Sequence, residues 1–324
     1  MILIHDSNEF FKIQQTFTKI PYQQSHGWYN YVLQLNKEIL FFVDSLENTQ
    51  IAFWGVLNKV PIIRGKIFTI QGECFDSCIS EKKIESCYSH LKNLGYLGVE
   101  IFSDNKYNII FEIGLKLAGF RRPLGSFNSN LSIEIDLNKK IQYDNNWKGN
   151  IRKGFKNELN AFEITDFSTN NLSQIIMLIA KMADSKKLKH HNTKSLESLV
   201  LSNDYRTFMA ISPEFGPISV VIIHTNKPYS TFVIAANSPE AKTRFGSHFL
   251  VDYVVNCLKS ENFEFFDLCR IPVSNSEKNG IYNFKKGTRG KKIQYNGEFS
   301  YFNLIIIELL IMAYRILVNK KSRY

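Results

Sequence analysis

The chain has 324 residues, enough to bury a sizeable core and to form two domains. Its apolar fraction of 44% and charged fraction of 22% are ordinary for a globular protein and exclude a disordered or fibrous one. Lysines and arginines number 40 against 30 acidic side chains, a net charge of +10, which implies an anionic partner: phosphate, nucleic acid or an acidic membrane surface.

The cations cluster at Lys148–Lys156, Lys181–Lys194, Lys285–Lys292 and Lys320–Arg323. The cysteines Cys74, Cys78, Cys87, Cys257 and Cys269 are odd in number and form no Cys-x-x-Cys pair. That argues against a zinc knuckle or a secreted disulfide framework, so reduced, mostly buried thiols are expected. The opening MILIHDSNEF lacks the basic start and long apolar stretch of a signal peptide, and a cytoplasmic location is expected.

In chain order, helical patterns occupy Asn8–Phe17 and Trp28–Leu35. Apolar runs at Ile39–Val43, Ile51–Leu57 and Lys66–Ile70 predict strands. Ile84, Cys87, Tyr88, Leu91 and Leu94 share one helix face that stops at Gly95. A strand at Leu97–Phe102 and a helix at about Tyr107–Ala118 follow, and Leu131–Leu137 alternates as a half-exposed strand. Beyond the polar stretch Asn138–Asn146 the grammar repeats: a helix at Leu172–Ala183, strands at Arg206–Ile211, Ile218–His224 and Tyr229–Ala235, a helix at Ser247–Lys259 and a strand at Phe263–Leu268. In both halves a strand leads through a loop and a helix to a returning strand, as in a duplicated α/β unit. The expected domains are 1–140 and 141–302, followed by an apolar helix and basic tail at 303–324.

That last segment, LIIIELLIMAYRILV at Leu304–Val318, is shorter than the roughly 20 apolar residues of a membrane span and carries Glu308 and Arg315. A buried terminal helix is expected; the alternative is a helix lying on the cytoplasmic membrane face, helped by the basic tail.

Asn279–Lys292, NGIYNFKKGTRGKK, follows the last strand. Lys285, Lys286, Arg289, Lys291 and Lys292 are interleaved with Tyr282, Phe284, Gly287 and Gly290, and no acid intervenes. Such a segment at a strand exit either grips an anion or a developing oxyanion or is a solvated basic loop. The helix from Ser247 is apolar nearly all round, and Arg244-Phe245-Gly246-Ser247-His248 opens it. Ser247 is the expected cap, Gly246 would let a ligand approach the backbone, and Arg244 adds charge to an anion seat. A third element, WKGNIRKGFK, puts Lys148, Arg152, Lys153 and Lys156 on one side of a helix or turn, where they face solvent or contact RNA phosphates or a substrate diphosphate. His190-His191 has no carboxylate or cysteine at ligand spacing. Nucleophile elbow, zincin, Walker and dinucleotide motifs are absent. No metal or cofactor is expected.

Taken together these segments resemble the Fem family of aminoacyl-tRNA-dependent peptidyltransferases, built from two GNAT-like acyltransferase domains. The resemblance runs in order through Pro21–Trp28 (PYQQSHGW), Gly65–Asp76, Gly119-Phe120, Asp136-Leu137, Asn150–Gly154 (NIRKG), Phe266-Asp267-Leu268 and Gly280–Gly287 (GIYNFKKG). It implies an α/β fold of two tandem GNAT-like domains with mixed sheets. It also implies amide formation, in which an amine attacks an activated ester or thioester. Lys285 would hold the oxyanion and Phe284 would shape the pocket. Trp28, Tyr31, Arg152, Lys153, His191, Asp267, Arg270 and Tyr282 fall on the substrate side, and Arg244, Gly246, Ser247 and His248 on the donor side.

Two departures stand out. Tyr29-Asn30-Tyr31 replaces the lysine that in the family helps hold an acceptor diphosphate, and Cys269-Arg270 replaces a glycine. Arg270 then contacts an anion or forms a structural ion pair. Residues 184–205 are too few for the helical arm of some family members. The expected function is transfer of an aminoacyl or acyl group, from aminoacyl-tRNA or acyl-CoA, to an amine of a cell-wall or surface-polysaccharide precursor. The alternative is a non-catalytic RNA- or membrane-binding module.

Overall fold

The computed structural model describes residues 1–60, 65–76, 78–125, 129–271 and 280–319, with side chains to residue 316. The chain divides into two compact units, Met1–Asn130 with the chain from Gln294, and Leu131–Ile293. The sequence expectation instead ended the first domain at 140 and began a tail at 303. Strand Leu131–Asp136 therefore falls with the second unit, and the chain after Gln294 with the first.

The first unit contains β1 (Ile2–Ile4), α1 (Ser7–Gln14), α2 (His26–Leu33), β2 (Glu38–Val43), β3 (Ile51–Lys59), β4 (Lys66–Gln71), β5 (Cys74–Phe75), α3 (Glu81–Lys92), β6 (Gly98–Lys106) and α4 (Ile109–Leu117). The second contains β7 (Leu131–Asp136), α5 (Asn145–Lys156), β8 (Asn160–Ile164), α6 (Thr169–Ser185), α7 (Thr193–Val200), β9 (Tyr205–Ser212), β10 (Gly216–Asn226), β11 (Tyr229–Asn237), α8 (Pro239–Arg244), α9 (Gly246–Ser260), β12 (Phe265–Arg270) and α10 (Gly280–Lys286). β13 (Lys291–Phe302) and α11 (Ile305–Asn319) end the fold. Short polar residues set the helix starts: Asp6, Ser25, Ser80, Asn108, Asp144, Asn192 and Ser238 each accept a hydrogen bond from a first-turn backbone N–H.

Each unit is a mixed sheet. The order is β1-β2-β3-β4-β6-β13 in the first, with β5 on β3, and β7-β12-β11-β10-β9-β8 in the second. All pairings are antiparallel except β4 with β6 and β11 with β12. A parallel pair needs a helical crossover, and α3 and α9 supply it. These are the two strand–helix–strand repeats that the hydrophobic pattern predicted. Phe53, Phe68, Ile84, Tyr88, Ile101 and Phe111 centre the first core. Trp147, Phe208, Ile218, Leu250, Val254 and Phe266 centre the second. Gln24, fully buried, ties the opening segment to the first sheet: its amide donates to the carbonyls of Trp54 and Gln71 at 3.0 and 2.9 Å and its oxygen accepts from Trp54 N at 2.8 Å.

Several expectations need correction. The described part of Asn279–Lys292 is not a continuous basic loop: Gly280–Lys286 is helical and Lys291–Phe302 is a strand whose middle is buried. Of the cysteines, Cys74 and Cys87 are buried, Cys257 and Cys269 half-buried, and Cys78 is exposed. The terminal helix α11 is buried along one face only, through Ile307, Glu308 and Ile311, while Ile305, Ile306, Leu309 and Leu310 are exposed. Among the described residues no helix is long and apolar enough to cross a membrane. The basic tail Lys320–Arg323 lies outside the described residues.

One buried carboxyl stands out in the first unit. Glu73 is fully buried where β4 leaves β6. Its Oε1 accepts from Ser103 Oγ at 2.5 Å and Asn105 Nδ2 at 3.0 Å, and its Oε2 has no partner among the described residues. Burial pushes its pKa from 4.5 up to about 7, against the two hydrogen bonds. The folded state therefore holds a proton that the unfolded chain releases above 4.5. Stability is fullest at acid pH and falls as pH rises between 4.5 and about 7. Glu73→Gln should remove this loss: in urea denaturation at a series of pH values the variant should match the parent at low pH and exceed it by on the order of 3 kcal/mol above neutrality.

Candidate active site

The site is built on the end of β12. Its pairing with β7 runs from Phe265 to Asp267, slips, and resumes at Arg270 opposite Ser132. Within the slip Cys269 takes a left-handed backbone, φ 64°. A non-glycine residue there needs support, and Asp267 supplies it: its Oδ1 accepts from Cys269 N at 2.8 Å and lies 2.5 Å from Ser132 Oγ.

The bulge turns two successive carbonyls toward Lys285. Its Nζ donates to Cys269 O at 3.1 Å and Arg270 O at 2.8 Å. Lys285 is only 8% exposed, whereas Lys286, Arg289, Lys291 and Lys292 are all exposed. Burial lowers the Lys285 pKa below its ordinary 10.5, and Cys269 and Asp267 oppose the fall. Three N–H donors belong to an ammonium; among the described residues the carbonyls of Cys269 and Arg270 engage two of them.

Helix α10 is anchored from behind by Trp147. The indole Nε1 donates to Phe284 O at 2.7 Å. The ring stacks on Tyr143 at 4.9 Å and meets His248 at 4.8 Å and Phe284 at 4.9 Å. Asp144 caps α5 through Trp147 N at 2.7 Å and donates its own N–H to Gly287 O at 2.9 Å. The glycine is obligatory for this approach: a Cβ at Gly287 would stand 2.1 Å from Trp147 Cδ1. Trp147, Asp144 and Ser132 were not picked out as site residues by the sequence reading. The only signal available was Trp147 opening the basic WKGNIRKGFK segment.

The donor-side residues surround the start of α9, with three differences from expectation. The helix begins at Gly246, and the residue before it, Phe245, is left-handed at φ 65° without a side-chain cap. Ser247 is therefore not the cap; its Oγ donates to Asn237 Oδ1 at 2.7 Å, as does Ser219 Oγ at 2.8 Å. Gly246 does not open the backbone to a ligand, because a Cβ there would meet Ser219 Oγ at 2.7 Å and Ile218 Cδ1 at 2.9 Å. Arg244 is paired with Glu214 and lies 5.1 Å over the Phe215 ring. His248 faces Trp147 and Phe284, the latter at 4.9 Å, with its Nε2 3.2 Å from the Asn150 amide nitrogen. Burial takes its pKa from 6.5 down to about 4, so at neutral pH it is an uncharged hydrogen-bonding ring.

Of the substrate-side residues, Asp267 and Arg270 stand on the end of β12 and Tyr282 on α10, which also carries the expected catalytic pair Phe284 and Lys285; Tyr282 and Phe284 pack on the second core. Arg152 and Lys153 are exposed on α5, and Lys153 Nζ lies 4.7 Å over the Phe245 ring at the α9 start. His191 is exposed in the connection between α6 and α7, outside this junction. Trp28 and Tyr31 belong to α2 of the first unit, stacked at 4.8 Å. Among the described residues no group of three or more His, Cys, Asp or Glu could hold a metal ion.

No family model matches the sequence, and no curated protein matches it. Solved structures do. FemX superposes with a TM-score of 0.76 at 12% identity, over 96% of this chain and 100% of that one. L-PGS from Bacillus licheniformis gives a TM-score of 0.66 at 12% identity, over 94% and 96%. The C-terminal domain of a putative lysylphosphatidylglycerol synthetase from Agrobacterium fabrum gives 0.65 at 12% identity, over 96% and 95%. The chain thus has a Fem-like fold, as the motif resemblance implied.

Gly287→Ala should force Trp147 off Phe284. Chemical denaturation should show a loss of roughly 1–3 kcal/mol, and Trp147 fluorescence should shift as the indole loses its buried hydrogen bond.

Proposed function

We propose that this protein is an acyltransferase that forms an amide, moving an aminoacyl or acyl group from an activated donor to an amine of a cell-wall or surface-polysaccharide precursor. The observation that carries the reading is the buried ammonium of Lys285, clamped by the carbonyls of Cys269 and Arg270. The Fem-like fold and the net charge of +10 support it, as does the name of the lysylphosphatidylglycerol synthetase neighbour, which denotes an aminoacylated product.

The acceptor amine attacks the acyl carbonyl, a C–N bond forms, and the carbonyl oxygen becomes an oxyanion. Lys285 donates its remaining N–H to that oxygen. A donor held in place before the reaction stabilises developing charge without reorganisation. The intermediate collapses with cleavage of the ester C–O or thioester C–S bond, and the amine proton passes to water or to the leaving group. Phe284 and Tyr282 wall the site. Lys153, beside the α9 start, offers charge to the phosphates of either donor, aminoacyl-tRNA or acyl-CoA.

Charged tRNAs and a panel of acyl-CoAs, screened by thermal shift and then by turnover, distinguish the donors; the true donor raises the melting temperature. Lys285→Ala should lower kcat by roughly 100- to 1,000-fold while the far-ultraviolet circular dichroism spectrum stays that of the folded parent. A wild-type chain that binds donor and acceptor but never turns over would instead establish a binding module. Because the protonated lysine is the working form, activity should fall on the alkaline side at a pH below 10.5, read from the pH dependence of kcat.

A further inference from the structure

Helix α11 inverts the usual arrangement of a surface helix. Its two charged side chains up to residue 316 turn inward. Glu308 pairs with Arg121 and accepts from Ser300 Oγ at 3.0 Å, and Arg315 Nη2 donates to Glu100 Oε2 at 2.6 Å. Ile307 and Ile311 complete the buried side. The outward side carries Ile305, Ile306, Leu309, Leu310, Tyr314 and Ile316, with Ile305 and Ile306 each 54% exposed. At 3.6 residues per turn these positions cover about half the circumference without a polar gap. A contiguous apolar face of this kind marks an interaction surface.

We propose that this face docks on an anionic lipid surface, lying in the interface with its axis parallel to the membrane. Charge is the first argument. Lys320, Lys321 and Arg323 follow the helix in the sequence, and no acidic residue lies between Glu308 and Arg323. Apolar insertion and a basic cluster are the paired signals that interfacial binding needs. Tyr314, 40% exposed on the C-terminal half of the face, has the amphipathic ring favoured at the headgroup level. Area is the second argument. The exposed residues run from Ile305 to Ile316, so the face is about 18 Å long and about 10 Å wide. That is roughly a quarter of the ~800 Å² per partner in a stable dimer. A fluid interface accepts a narrow strip; a protein partner demands more. The inference stands apart from the acyltransferase reading, since it involves none of the β12–α10 residues.

The test is flotation of the full chain with phosphatidylcholine vesicles and with vesicles in which phosphatidylglycerol replaces part of the phosphatidylcholine. The chain should float with the anionic vesicles, less so in high salt. The exposed double variant Ile306→Glu with Leu310→Glu should bind at least roughly tenfold less with an unchanged melting curve. The triple variant Lys320→Ala, Lys321→Ala and Arg323→Ala should lose roughly 100-fold on anionic vesicles and change nothing on neutral ones. Absence of wild-type flotation with either vesicle, or flotation of the double variant equal to wild type, overturns the proposal. A wild-type dimer in solution that the double variant converts to monomer assigns the face to a second copy, and overturns it too.

Discussion

The hydrogen bond from the Trp147 indole to the Phe284 carbonyl is the constraint on which the candidate site rests. α10 is only seven residues long, too short to be stable alone. It holds its place because the indole takes a carbonyl at its C-terminal end, where helix carbonyls lack intrahelical donors, and because Gly287 lets the ring come within van der Waals contact. With Phe284 held from one side, the next side chain, Lys285, is directed at the bulged end of β12. Asp144 joins the two ends of this arrangement, capping α5 with its carboxylate and reaching Gly287 with its N–H.

Lys285 and Glu73 are two answers to one problem. Burying an ionisable group removes it from water at a large cost. At Lys285 burial lowers the pKa, and the nearby Cys269 and Asp267 oppose that fall. At Glu73 the partners are neutral, Ser103 and Asn105, and one oxygen has none among the described residues. Desolvation then wins, and the carboxyl moves toward its neutral form. A charged donor at an oxyanion contact requires the first kind of environment, and hydrogen bonds from a charged donor are the stronger ones.

The strand–helix–strand repeats were legible because apolar residues dominate the parallel strands, as with Ile67, Phe68 and Ile70 and with Phe265, Phe266 and Leu268, and because the crossover helices carry a clear 3.6-residue pattern at Ile84, Cys87, Tyr88 and Leu91. Strand β13 escaped, since Gly297 and the polar Asn296, Glu298 and Ser300 interrupt its pattern; those polar residues are nevertheless buried, an arrangement that only neighbouring side chains make tolerable. The cap at Ser247 was misjudged because Asn237, ten residues earlier, takes its hydroxyl. Gly246 looked like an opening to a ligand and is a packing glycine against Ser219 and Ile218.

The amino-acid sequence by itself determined the repeated α/β plan, the cationic balance and the interval in which Lys285 lies, because periodicity, composition and local turn chemistry are properties of neighbouring residues. Tertiary structure alone decided which of the clustered cations is buried and which way α11 turns its charges. Those outcomes depend on partners far away in the chain: Trp147 is 137 residues from Phe284, and Arg315 is 215 from Glu100. Desolvation and hydrogen bonding act on groups brought together by folding, and no local pattern records who the partner will be.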